Sequence, residues 1–163
     1  MIRIWVLTIV VSVLVSARFA GAVQKTPPLF DHLHQAILEQ EPKWQIERKV
    51  NPESKYMSIR LKSGKNRIAL MLDILGSDKE AAEMFKNWDR EISHPTLQTP
   101  IEANRVKSSL PSLGDENHLW SSPSHKGATI LFRKKNTFVM VFGSFENDVK
   151  RFALLVSNQL AAT

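Results

Sequence analysis

Ile68-Ala69-Leu70-Met71-Leu72, followed by Asp73-Ile74-Leu75-Gly76-Ser77-Asp78-Lys79-Glu80, decides the fold. Five apolar residues without a break predict a strand covered on both faces, since a strand with one wet face would alternate. Gly76 ends it. Ser77-Asp78-Lys79-Glu80 has the form of a capping box, whose Ser oxygen and Glu carboxylate satisfy backbone N–H groups left over at a helix start. Ala81, Met84, Phe85, Trp88 and Ile92 then recur at helical spacing and predict a buried stripe.

Toward the N-terminus the period is two. Met57, Ile59 and Leu61 alternate with Ser58, Arg60 and Lys62, and Ser63-Gly64-Lys65-Asn66 is a tight turn into the strand running from Arg67 to Leu75. Trp44, Ile46 and Val50 predict an earlier strand, closed by Asn51-Pro52. Before it, Leu29, Leu33, Ala36 and Ile37 lie on one helical stripe with Asp31 in the first turn, and Pro42 stops it. Residues 23–28 read as a polar tether closed by Pro27-Pro28.

Toward the C-terminus the same order returns. Ser93 to Leu113, with Pro95, Pro100 and Pro111, is irregular apart from a short strand near Arg105 to Ser108. His118–Ser122 and Ala128–Arg133 predict strands, and Lys134-Lys135-Asn136 a turn. Phe138 to Phe142 is again apolar throughout, and Gly143-Ser144 precedes a helix that buries Val149, Phe152, Ala153, Val156 and Leu160. The Gly76-Ser77 and Gly143-Ser144 joints are 67 positions apart, and at that offset Leu72 matches Val139, Leu75 matches Phe142 and Phe85 matches Phe152. The pattern predicts two pseudo-repeated ββ(β)α halves, about 43–92 and 105–161. The fold class is therefore α+β: one domain over 29–163, an antiparallel sheet of six or seven strands with helices on both faces.

Residues 1–22 have a different character. Arg3 precedes an apolar run and Ala20-Gly21-Ala22 is a small-x-small cleavage site. Only 14 residues separate Arg3 from Arg18, too few for a membrane-spanning helix of about 20. The reading is a secretory signal peptide, removed to leave a secreted or periplasmic chain that starts at Val23 and spans no membrane.

Composition narrows the chemistry. With no cysteine among 163 residues, disulfide scaffolds, thiol nucleophiles, zinc–thiolate sites and iron–sulfur clusters are excluded. The net charge of +6 includes Arg3 and Arg18 of the leader, so the remainder is only mildly basic. Trp44, Trp88 and Trp120 do not interleave with the basic residues, which argues against a nucleic-acid partner. No G-x-S-x-G elbow or P-loop is present, and nothing points to a cofactor.

Leu113-Gly114-Asp115-Glu116, a strand with Trp120, and the hairpin Phe132-Arg133-Lys134-Lys135-Asn136 carry a resemblance. Residues 110–160 are similar to one half of small secreted bacterial proteins of unknown function with an LGDE–strand–FRKGN–strand–helix order, with Lys135 where those sequences usually have Gly. The resemblance implies export and a fold, and no activity. The order of elements is also similar, at fold level, to the sandwich of the Mog1 nuclear-transport factor and the photosystem II extrinsic P subunit.

Two sets of side chains are candidates for function. Asp115, Glu116, His118 and His125 form the best oxygen and nitrogen cluster for a metal ion or for acid–base chemistry. His32 and His34 lie about 200° apart on a helix and cannot share an ion. The basic clusters at the two hairpins, Lys62, Lys65 and Arg67 and then Arg133, Lys134 and Lys135, either guard strand ends or meet an anionic surface. The expected function is a secreted, non-catalytic binding or interaction module for an anionic surface or a cell-envelope protein. The alternatives are a small hydrolase or metal-dependent enzyme built on the first cluster, and a carrier of an apolar ligand.

Overall fold

The computed structural model describes residues 28–51, 55–93, 106–110, 113–122 and 125–162, with side chains for all of these but 49–51, 122 and 125. The expected leader, the tether up to residue 27 and the His94-Pro95 loop lie outside them. Helix α1 (Pro28–Gln40) leads into β1 (Gln45–Asn51), β2 (Tyr56–Ser63) and β3 (Asn66–Ile74), then α2 (Asp78–Ser93). After β4 (Val106–Ser108) come β5 (Glu116–Ser122), β6 (His125–Lys134), β7 (Thr137–Gly143) and α3 (Glu146–Ala162). The strands form one antiparallel sheet in the order β1-β2-β3-β7-β6-β5-β4, so the two long apolar strands lie side by side at its centre.

Alternation sorts the side chains onto two faces. On the first, Met57, Ile59 and Leu61 of β2, Ile68, Leu70 and Leu72 of β3, Val139 and Val141 of β7 and Ile130 and Phe132 of β6 are buried against two helices. α1 contributes Phe30, Leu33 and Ile37, and α3 contributes Val149, Phe152 and Val156. Each such side chain withdrawn from water stabilises the fold by about 1.5–3 kcal/mol. Trp44 meets Phe152 edge to face, with ring centroids 5.1 Å apart. Arg48 of β1 pins α1 to this face by donating to Asp31 Oδ1 at 2.7 Å. Its NH1 also lies 3.4 Å from His34 Nδ1. Burial and the Arg48 charge together hold His34 below the ordinary histidine pKa, against the opposite pull of Asp31. His32 points into solvent on a different side of the helix, as the spacing requires.

The second face has a smaller cluster: Phe85 of α2 with Leu131, Phe138 and Met140, edged by Met71, Leu75, Met84 and Ile92. The capping box forms. Glu80 N–H donates to Ser77 Oγ at 3.2 Å, and Gly76 N–H donates to Glu80 Oε2 at 2.9 Å.

α2 packs on β6 and β7, and α3 packs on those same two strands from the other side. Among the described residues three helices thus serve a sheet with four half-faces, and none of them lies on the half of the second face over β1, β2 and β3. The strand Ile68–Leu72 is sealed on one side only: Ala69 and Met71 are half-buried. Phe142, also expected to be covered, is 40% exposed.

The halves repeat an order of elements and nothing more. Antiparallel β3 and β7 can be exchanged only by a two-fold axis normal to the sheet, which keeps each helix on its own face. α2 and α3 lie on opposite faces, so the halves do not superpose as units. The Gly-Ser joints differ as well. Gly143 lies inside β7, opposite Ile68, where an added Cβ would come 2.5 Å from the Arg67 carbonyl oxygen. Gly76 follows β3 and would meet only the flexible Glu80 carboxylate, at 3.0 Å.

Candidate functional site

Asp115 and Glu116 are tied to the β6–β7 hairpin. Gly114 adopts a φ of 65°, and an added Cβ there would collide with the Arg133 carbonyl. This close approach lets Asp115 N–H donate to that carbonyl oxygen at 2.8 Å. The Asp115 carboxylate accepts from Lys135 N–H at 2.6 Å, and Lys135 itself sits at a φ of 50°. Arg133 donates through Nε to Glu116 Oε2 at 3.0 Å and places NH1 3.6 Å from Asp115 Oδ2. The Leu-Gly-Asp-Glu stretch thus clasps the neighbouring hairpin, with Leu113 buried beneath it.

His118 turns elsewhere. It lies on the α2 side of β5, with Nδ1 2.7 Å from Asp89 Oδ1 and its ring 5.0 Å from that of Phe85. An ionised carboxylate only accepts, so Nδ1 carries the proton. Trp120 Nε1 donates to the same oxygen at 3.0 Å, and Lys107 Nζ donates to Oδ2 at 2.8 Å. Lys107 also sits 5.3 Å from the centre of the Trp120 ring. Burial, the largest influence on Asp89, opposes its charge. Hydrogen bonds from Lys107, His118 and Trp120, with the attraction of His118, overcome it and hold the pKa below the ordinary carboxylate value. Asp89 sits four residues after Phe85, and a carboxylate at that place on a buried stripe was the available sequence signal.

His125 pairs in register with Ser122, at the end of β5 away from Glu116. Six strand steps, about 20 Å, separate those ends. The first candidate cluster is thereby divided into a hairpin clasp, a helix–sheet contact and a residue at the far turn. Among the described residues no three His, Asp or Glu side chains gather to hold a metal ion.

The two basic clusters also lie far apart. The β2–β3 turn is beside Gly143, and the β6–β7 turn is beside Ile74, so the clusters occupy opposite ends of the sheet, about 20 Å from each other. Arg133 is ion-paired, whereas Lys62 and Lys65 at one turn and Lys135 at the other are exposed and meet no acidic side chain among the described residues. Arg67 is exposed and donates to the Gly64 and Asn66 carbonyls at 2.9 Å, holding its own turn.

The first cluster borders the uncovered half-face. Arg60, Ala69, Phe142, Thr129, Trp120 and Lys107 form one row across six strands, in register and on the same face. At its left end Arg60 and Lys62 stand on β2 beside Ala69 and Arg67 on β3. Two acids share this half-face: Glu47 is opposite Arg60, and Asp73 of β3, whose pKa burial raises above the ordinary carboxylate value, is opposite Tyr56. The surface is thus basic with an aromatic residue at its margin, and Arg60 and Phe142 are the members the alternating pattern alone did not single out.

Beside it, the flank of α2 that carries Glu80, Glu83, Met84, Asn87 and Trp88 forms with Leu75 an open depression of about 410 Å³. Trp88 is 37% exposed there. No helix among the described residues is long and apolar enough to cross a membrane.

No family model matches the chain, and no curated protein does. Among solved structures, a GTP binding regulator from Thermotoga maritima aligns over 82% of this chain and 90% of its own, with a TM-score of 0.46 and 18% identity. A likeness of that degree carries no argument about fold or activity.

Proposed function

We propose that the chain is an exported, non-catalytic binding module that meets an anionic partner through the uncovered half of its sheet. The observation that carries this reading is the exposed Phe142, in register with Ala69, with Arg67 on that same strand and Arg60 and Lys62 one strand further on, on the one half-face that no helix of the described residues covers. Leaving apolar and cationic side chains together in water has a free-energy cost that contact with an acidic, partly apolar surface offsets. Export rests on the Arg3, apolar run and Ala20-Gly21-Ala22 pattern, and it accords with a surface made for a cell-envelope protein or another anionic envelope component.

The test is binding of poly-glutamate, at low and at physiological salt, by the protein and by two triple variants. Arg60→Glu/Lys62→Glu/Arg67→Glu is expected to abolish binding. Arg133→Glu/Lys134→Glu/Lys135→Glu, at the far hairpin, is expected to leave the ratio of wild-type to variant affinity within about threefold. Binding should weaken with salt, because exposed charges are screened over about 8 Å. Equal losses from both variants, or none from the first, would contradict the reading.

A further inference from the structure

We infer that the protein meets an anionic lipid membrane end-on, through the end of the sheet where β2 turns into β3. This rests on the binding-module reading and names the partner as a lipid surface. Several connections come together at that end. The β2–β3 turn carries Lys65 between Lys62 and Arg67, and the link from β7 to α3 carries Ser144 and Phe145. β6 begins there too, since Ala128 is in register with Gly143, which is itself opposite Ile68. Ser144 N–H donates to the Arg67 carbonyl at 3.0 Å and ties the link to the turn. Lys126, at the start of β6, places Nζ 5.9 Å from the centre of the Phe145 ring. The turn from α1 into β1 adds Lys43 at the same end, because Gln45 pairs with Lys62.

The acids of this end are already paired. Arg151 places Nε 2.9 Å from Glu41 and NH2 3.0 Å from Asp148, and Lys150 meets Glu146 at 2.6 Å. Asn66 donates to the other Asp148 oxygen at 2.9 Å. Glu47 stands further along β1, opposite Arg60. Lys43, Lys62, Lys65, Arg67 and Lys126 are all exposed and meet no acidic side chain among the described residues. At the opposite end Arg133 is held by Glu116 and Asp115, and Asp73 and Asp78 offset Lys134 and Lys135. The strands therefore run from a basic end to a balanced one.

The spread of these cations selects the partner. Lys62 on β2 and Lys126 on β6 stand three strand spacings apart, about 14 Å, which exceeds the screening length of about 8 Å. Between them, on β7 and just after it, are Phe142, 40% exposed, and the half-buried Phe145. Charges so dispersed, on separate turns around apolar rings, do not converge on one anionic group. A fluid layer of anionic headgroups satisfies them all without matching their spacing, and its interfacial region takes up the rings. A second copy docked through the same end would set like charges against each other.

The test is sedimentation with vesicles of phosphatidylcholine alone and of phosphatidylcholine mixed equally with phosphatidylglycerol, at low and at physiological salt. The mixed vesicles are expected to bind the protein about tenfold or more tightly than the neutral ones, and less tightly as salt rises. Each exposed cation near the lipid contributes about fivefold, or about 1 kcal/mol. Lys65→Glu/Lys126→Glu, at this end but outside the half-face, should therefore lose about tenfold or more. Arg133→Glu/Lys134→Glu/Lys135→Glu, at the other end, should stay within about threefold. Phe142→Trp should be quenched by brominated lipid. Circular dichroism with a denaturation midpoint checks folding, and Lys65→Gln/Lys126→Gln repeats the test without adding acid. Binding of poly-glutamate without binding of mixed vesicles would overturn the membrane and leave the binding-module reading standing. If neither binds, both readings fall. Equal losses from variants at the two ends, or neutral vesicles bound as tightly as mixed ones, would overturn the inference.

Discussion

Nδ1 of His118 lies 2.7 Å from Oδ1 of Asp89, and this contact joins the C-terminal half of α2 to β5. With Trp120 and Lys107 on the same carboxylate, it fixes how α2 crosses the sheet and so which half-face stays open. Because the group is largely satisfied by partners on β4 and β5, we read it as a brace for that surface.

The brace should be acid-sensitive. The Asp89 carboxyl holds its proton less tightly in the folded chain than in the unfolded one. Its contribution is therefore complete above the unfolded value of about 3.9 and is lost as pH falls through the lower folded value. Asp89→Asn is expected to cost about 1.5–3 kcal/mol at pH 7. In urea titrations the gap between wild type and variant should narrow below pH 4. A gap unchanged from pH 7 to pH 3 would show that the charge of Asp89 is not what matters.

Glycine replacements should separate the two Gly-Ser joints. Gly143→Ala places a methyl group against the Arg67 carbonyl of the neighbouring strand and is expected to cost more than about 2 kcal/mol. Gly76→Ala meets only a movable carboxylate and should change the denaturation midpoint by less than half as much. Equal costs would mean that the joints are equivalent after all.

The hairpin clasp predicts a third result. Asp115→Ala leaves the Lys135 N–H without its acceptor at a residue with positive φ, at a cost of about 1–3 kcal/mol. Gly114→Ala, strained both by φ and by contact with Arg133, should be at least as harmful. Thermal denaturation of both variants measures this. A wild-type melting temperature for Gly114→Ala would contradict the clasp.

These residues show what was legible from sequence. Period-two alternation at Met57, Ile59 and Leu61 and the Ser77 to Glu80 cap predicted strand and helix where they occur, because both signals are local. The weak strand near Arg105 also exists, as β4. Face assignment was not legible. Phe142 sits in as apolar a run as Val139, yet the direction in which α2 crosses the sheet leaves it open, and that direction depends on Asp89 meeting residues 29 and 31 positions further along the chain. The His118 partner was missed for the same reason. Proximity in sequence suggested Asp115 and Glu116, whereas the β-hairpin twist of register gave those to Arg133 and left His118 to α2.

The central claim is that the uncovered half-face is the working surface, and backbone amide mapping tests it most directly. Amide shifts of the protein would be followed as poly-glutamate is added. The expected perturbations fall on β2 and β3 around Arg60, Lys62, Arg67 and Ala69 and on Phe142, with Arg133 to Asn136 unmoved. Perturbations gathered at the β6–β7 turn, or spread evenly over all exposed lysines, would contradict it.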